Sequence, residues 1–233
     1  MVLTDQKPLV IVNFKDYEVA TGMGAVDMLK AHEDVMAEFP NLANIVVAVH
    51  PTDLRDVCRM AENVTVFSES ADFLTRGPDG LPKVTQTGRL TPRILCGMGA
   101  AGALVNHAEN PRTDEEIKMI VEDFKSYKPD FVLVVCAESV DRAVRILSVC
   151  KPDYIALEPP ELIGGDVSVT TKEDVVRDAV AKVGNNLLVG AGVKTGEDLK
   201  KALEFGARGV LLASGVVAPK DKTPKQALID LIK

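Results

Sequence analysis

Glu158, His107 and Lys15 have the side-chain types needed to move a proton beside a carbonyl group, and each follows a short apolar run. Glu158 closes Tyr154-Ile155-Ala156-Leu157 and leads at once into Pro159-Pro160-Glu161-Leu162-Ile163-Gly164-Gly165. A carboxylate at the exit of a buried strand is poorly hydrated, which makes it a stronger base than a surface glutamate. Two prolines stiffen the first residues of the loop and two glycines loosen its last ones, the hinge pair that a lid over a reacting carbon needs. An ordinary βα loop with a solvated glutamate uses the same residues. His107 sits in Asn106-His107-Ala108-Glu109-Asn110. A short turn follows it, so nearby helix-type N–H groups would hold its ring neutral, and a neutral imidazole donates a hydrogen bond to a carbonyl. A structural histidine fits the position too. Lys15, just past Asn13, would attract a phosphate or a polarised carbonyl oxygen, with Asn13 orienting it or binding substrate; its other reading is a solvated surface lysine. Gly190-Ala191-Gly192 and Ala213-Ser214-Gly215 are turns of small residues, which let backbone N–H groups approach an oxyanion closely.

The elements that must position these groups alternate strictly. Strand-like apolar runs cover Leu9–Asn13, Ile45–Val49, Val64–Phe67, Ala103–Asn106, Phe131–Cys136, Tyr154–Leu157, Leu187–Val189 and Val210–Ala213. Most are continuously apolar, as parallel strands buried on both faces are. Helical patterns follow at Met23–Glu38, Asp53–Asn63, Pro92–Met98, Asp114–Tyr127, Val140–Cys150, Lys172–Val183, Gly196–Phe205 and Pro224–Ile232. Capping boxes are expected at Thr113 with Glu116, Thr170 with Glu173 and Thr223 with Gln226, and helix stops at Gly184 and Gly206. Eight strands and eight helices in 233 residues, with no linker-like stretch, predict one (β/α)8 barrel over 1–233. A doubly wound open sheet is the competitor, but its Gly-rich first turn is missing; the first strand ends in Asn13-Phe14-Lys15. Ser68–Arg89 is long for a βα loop and reads as functional, an interface or mobile.

In a βα barrel the C-terminal strand ends carry the chemistry, and the last two loops are the recurrent phosphate site. Glu158, His107, Lys15 and the two small-residue turns therefore meet at one mouth. The set suits proton abstraction from a small phosphorylated sugar, with Lys15 and His107 stabilising an enediolate.

These residues resemble the triosephosphate isomerase family, in its compact archaeal-type branch. The resemblance rests on Val12-Asn13-Phe14-Lys15, Asn106-His107-Ala108-Glu109-Asn110, Glu158-Pro159-Pro160-Glu161-Leu162-Ile163-Gly164, Val189-Gly190-Ala191-Gly192 and Leu211-Leu212-Ala213-Ser214-Gly215, in the family's order along nearly the whole chain. A glutamate base with a neutral histidine under a closing loop is this family's known arrangement. The resemblance implies a TIM barrel that interconverts dihydroxyacetone phosphate and glyceraldehyde 3-phosphate in glycolysis and gluconeogenesis without metal or organic cofactor. It implies Glu158 as base, His107 as electrophile and Lys15 as electrostatic residue. Asn13, Ile163, Gly192, Ala213 and Ser214 would be substrate contacts, and Glu109 a supporting acid paired with Lys15 or a neighbour. It also implies a homo-oligomer, dimer or tetramer, built through the loop after the third strand. Two places differ from the family: Ala108 replaces a frequent serine, and Ser68–Arg89 matches poorly.

Composition narrows the alternatives. A net charge of −7 without a basic stripe argues against nucleic-acid binding and makes an anionic substrate depend on a local positive site. No apolar run is long enough to span a bilayer, and Met1–Lys7 lacks a signal-peptide pattern, so a cytoplasmic protein is expected. Cys58, Cys96, Cys136 and Cys150 read as small buried hydrophobes, with Cys136 at a strand end the one worth probing. His32 is expected at the surface of the first helix, and His50 in a structural role. A ribulose-phosphate epimerase would favour a metal held by paired acids and histidines at strand ends. A non-catalytic barrel would have no use for the three groups together.

Overall fold

The structure is a computed structural model that describes residues 6–163, 165 and 167–233. Gly164, the first of the two hinge glycines, lies outside them, as does most of Met1–Lys7. Eight parallel strands close into a barrel in sequence order: β1 Leu9–Asn13, β2 Asn44–Val49, β3 Thr65–Ser68, β4 Gly102–Val105, β5 Val132–Ala137, β6 Tyr154–Leu157, β7 Leu187–Gly190 and β8 Gly209–Leu212. β8 pairs back onto β1, with Leu9 opposite Gly209 and Val12 opposite Leu212.

The helices are α1 Met23–Glu38, α2 Leu54–Met60, α3 Pro92–Met98, α4 Asp114–Tyr127, α5 Val140–Val149, α6 Glu173–Val183, α7 Gly196–Glu204, α8 Ser214–Val217 and α9 Pro224–Ile232. The four-residue α8 is too short to show a helical period in the sequence. Single 3-10 turns at Glu18–Ala20, Pro160–Leu162 and Val169–Thr171 also add to the expected set. Gly184 and Gly206 end α6 and α7 with positive φ, as predicted.

Two apolar layers result from the pleat. Leu9, Ile11, Val46, Ala48, Phe67, Leu104, Val134, Cys136, Ala156, Leu188 and Leu211 fill the barrel, while their strand neighbours, such as Val10 and Val12, pack outward against the helices. Side chains alternate with period two. Ile11 inside therefore puts Asn13 inside at the rim, Ala156 does the same for Glu158, and Leu188 for Gly190.

Three expectations are corrected. His32 is 1% exposed, against the surface position foreseen for it. It stacks on Phe14 with centroids 5.5 Å apart, and its Nδ1 meets the Met28 carbonyl at 2.7 Å. Thr170 and Glu173 do not form a capping box; Lys172 occupies the start of α6 and Thr170 bonds elsewhere. At α9, Thr223 accepts from the Gln226 N–H, but the Gln226 side chain turns to Asp230, so only half the box forms. The box at Thr113 is complete, and a further one joins Thr195 to Asp198.

Residues 69–91 form an arm fixed at its base. Asp72 accepts from Arg112 Nη2 at 2.8 Å and the Leu90 N–H at 2.9 Å. Buried Asp123 of α4 accepts from the Leu74 N–H at 2.7 Å and Arg76 Nη2 at 2.8 Å. Beyond that anchor Arg76 and Pro82 make one antiparallel bridge, and Leu81 and Val84 stand 64% and 87% exposed.

Candidate active site

A small cavity of ≈ 40 Å³ at the C-terminal mouth is lined by Asn13, Lys15, His107, Glu158, Ile163, Gly192, Ala213 and Ser214, among others. Every catalytic and substrate-binding residue expected from the sequence is therefore brought to one place. Glu109 stands beside it, in a neighbouring cleft of ≈ 600 Å³ that shares Asn13, Lys15 and His107. A third cleft, ≈ 650 Å³, shares Glu158. The residues expected to act on substrate meet in the smallest of the three.

Glu158 is 7% exposed, and its buried Oε2 has no hydrogen-bond partner. Burial pushes its carboxyl up to about 7, with a Cys136 hydrogen bond and the Lys15 charge pulling the other way. Its Oε2 stands 3.8 Å from His107 Nε2. Gly190 makes room for it: a Cβ there would lie 2.6 Å from Glu158 Cγ and Oε1.

The Glu109 backbone N–H donates to His107 Nδ1 at 3.2 Å. A backbone N–H can only donate, so Nδ1 is the acceptor and the ring proton sits on Nε2, aimed at Glu158. Burial and the Lys15 charge lower the pKa of His107 and keep the ring neutral. The expected N–H group thus comes from a turn, closed by the Asn110 N–H on the His107 carbonyl at 2.8 Å.

Lys15 is no solvated surface lysine. Its side chain is 16% exposed and its Nζ bonds Glu109 Oε1 at 2.8 Å. It adopts a left-handed φ of 48°, held by its N–H donating to Asn13 Oδ1 at 3.1 Å. Burial works against ionisation of Glu109, but the Lys15 hydrogen bond and charge outweigh it and lower its pKa. Asn106 and Ala191 are the other non-glycine residues with positive φ among those described, at 61° and 70°. All three lie at the mouth, where backbone strain accompanies function.

The family follows from two comparisons. The family model for triosephosphate isomerase matches residues 8–233. The triosephosphate isomerase of Methanosarcina acetivorans is 37% identical over 97% of this chain and 98% of its own.

This chain belongs to the triosephosphate isomerase family.

The triosephosphate isomerase of Methanothermus fervidus is similarly placed, 36% identical over 97% of this chain and 98% of its own. A crystal structure of the Bartonella henselae triosephosphate isomerase shares the fold, with a TM-score of 0.63, 19% identity, and coverage of 88% of this chain and 92% of that one. Membership of this family sets the epimerase reading aside. Among the described residues, no group of three or more His, Cys, Asp or Glu is placed to hold a metal ion, and no helix is long and apolar enough to cross a membrane.

Some of the site was not foreseen. Asn106 donates to the Cys136 carbonyl at 2.8 Å and accepts from the Arg112 N–H at 2.8 Å, tying the His107 loop to β5. An asparagine at a strand end was the available signal, since it tolerates left-handed backbone. Tyr17, Ala191, Val193, Leu211 and Leu212 complete the lining. His50 lines the ≈ 600 Å³ cleft, with Nδ1 2.7 Å from Thr52 Oγ1 and Nε2 3.9 Å from Glu69 Oε1. Cys136 is buried against Glu158; burial and that carboxylate push its thiol well above the ordinary range, which disfavours the thiolate.

Proposed function

We propose that this chain interconverts dihydroxyacetone phosphate and D-glyceraldehyde 3-phosphate, as one catalytic domain working in glycolysis and gluconeogenesis in the cytoplasm. The observation that carries the reading is a desolvated glutamate facing the protonated nitrogen of a neutral histidine, beside a half-buried lysine. In this reading Glu158 takes the proton from the carbon next to the carbonyl. His107 Nε2–H and the Lys15 ammonium stabilise the enediolate oxygens, and Glu158 returns the proton to the neighbouring carbon. Asn13 holds Lys15 in place and contacts substrate. Gly192, Ala213 and Ser214 take the phosphate, and Ile163 closes over it. A coupled assay of the purified protein with glyceraldehyde 3-phosphate should show turnover that persists in the presence of a chelator. An inactive protein would favour a barrel used only for binding.

The oligomer belongs to the same proposal. Residues 73–89 carry Lys83 and Arg89 against Asp79, besides the Arg76 already paired with Asp123. The cleft beside Lys15 presents Asp16, Glu69 and Glu109. Burial and neighbouring carboxylates raise Glu69 to about 7, and its Oε2 has no hydrogen-bond partner. A basic arm with exposed Leu81 and Val84 complements that acidic cleft in a second copy, a fit that needs self-association. Sedimentation should give a mass of two or four chains, and Leu81→Asp with Val84→Asp should lower it. A single-chain mass for the parent protein would remove this part.

A further inference from the structure

The loop that leaves β6 at Glu158 returns to the scaffold through residues 167–171, and the return is fastened to the phosphate turn. The Val169 N–H donates to the Ala191 carbonyl at 3.1 Å. A Cβ on Gly192 would lie 2.0 Å from the Val167 carbonyl oxygen, so the returning chain lies directly on that turn. Thr170, 2% exposed, places its Oγ1 2.9 Å from Asp198 Oδ1 and 2.8 Å from Ser168 Oγ. The other oxygen of Asp198 accepts from the Lys194 N–H at 3.1 Å, the Thr195 N–H at 2.9 Å and Thr195 Oγ1 at 2.8 Å.

Burial opposes ionisation of Asp198, but the bonds from Lys194, Thr195, Thr170 and Ser168 outweigh it and lower its pKa. An ionised carboxylate only accepts, so Thr170 donates to Asp198. One carboxylate thus holds three pieces together: the return of the loop, the residues after the phosphate turn, and the first turn of α7.

We infer that Asp198, acting through the Thr170 hydroxyl, is a positioning residue that keeps the returning lid in register with the phosphate cradle, so that lid closure and phosphate capture occur as one event. The inference rests on the isomerase reading above. Neither residue lines the cavity, and the base, the histidine and the lysine are untouched by the link. What the link protects is the enediolate. When the lid sits out of register, the intermediate has a second exit. The enediolate oxygen re-forms a carbonyl with its own electron pair, the pair of the enediol C=C shifts to form a C=C bond to the carbon that carries the phosphate, and the C–O bond to phosphate breaks, its pair leaving with the phosphate. Inorganic phosphate leaves, and the remaining enol becomes a ketoaldehyde by proton transfer.

Thr170→Val removes the hydroxyl, nearly keeps the shape and leaves the Thr195–Asp198 cap intact. Loss of one hydrogen bond to a charged group predicts a KM for glyceraldehyde 3-phosphate raised roughly 10-fold. The inorganic phosphate released per isomerisation should rise by a similar factor, and Thr170→Ser should restore both to within about twofold. Asp198→Asn, which keeps an acceptor for the helix cap, should raise phosphate release as well and serves if the valine variant does not fold. A lower melting temperature with phosphate release per turnover at the parent level in the folded variants would overturn the inference and leave a purely structural tie. The parent protein is assayed first: an inactive parent overturns the isomerase reading and this one with it, whereas an active parent with unaltered variants overturns this one alone.

Discussion

Glu158→Asp should lower turnover by about 10²–10⁴-fold, the range a positioned general base contributes, while affinity for inorganic phosphate stays near that of the parent. Shortening the side chain by one methylene withdraws the carboxylate from the reacting carbon. It leaves Lys15, His107 and the small-residue turns in place. The titration gives a second, independent reading. Burial raises Glu158 to about 7, so kcat/KM of the parent should climb with pH through about 7 and level off above it, as the base loses its proton. The same shift acts on stability with the opposite sense. The unfolded chain loses this proton near 4.5, whereas the folded one keeps it to about 7. Above pH 4.5 folding therefore works against a desolvated carboxylate, and the penalty grows to about 3 kcal/mol by pH 8. Glu158→Gln removes that charge. Its melting temperature should exceed the parent's at pH 8 and come close to it at pH 5. Unchanged turnover in the aspartate variant, or a melting difference indifferent to pH, would take the role of base away from Glu158.

Glu158 also shows why much of the site could be read before the fold. A strand buried on both faces keeps a strict two-residue alternation, so an interior Ala156 fixes the direction of Glu158. His107 and Lys15 lie past their strand ends and carry no such parity. Their positions depend on left-handed residues, Asn106 and Lys15 itself, whose geometry the sequence does not display. His32 was misjudged for a local reason: it lies with Met28, Leu29, Val35 and Met36 on the apolar stripe of α1, and a histidine on that stripe was given its usual surface preference. The failed box at Thr170 has a long-range cause. Asp198, 28 residues on, offers the Thr170 hydroxyl a charged acceptor that Glu173 does not match. The Thr195–Asp198 box, by contrast, is a local pattern with a spacing of three residues. Local capping is legible in a sequence; a tie between two loops that meet only when a barrel closes is not.

Lys15→Ala should reduce kcat/KM by about 10²–10³-fold or more, the cost of removing one preorganised charge that meets a developing oxyanion, with KM rising as turnover falls. Lys15 is the cation in a cluster that also holds Glu109 and Glu158. Without it the mouth becomes acidic in a protein of net charge −7, and an anionic substrate is repelled where it was drawn in. Glu109 loses its partner as well, and its pKa should rise. The Lys15 charge lowers the pKa of Glu158, so its removal raises that pKa further, and the acid limb of the rate profile should move above about 7. It also lowers the pKa of His107; in the variant the ring should protonate more readily as pH falls, replacing a neutral donor by a cation. Lys15→Arg is the control, since it restores charge on a longer, planar group that cannot reproduce the 2.8 Å contact to Glu109 in the same geometry. It should recover the pH profile before it recovers the rate. A Lys15→Ala protein that melts earlier but keeps the parent's rate and acid limb would return Lys15 to the role of a surface lysine.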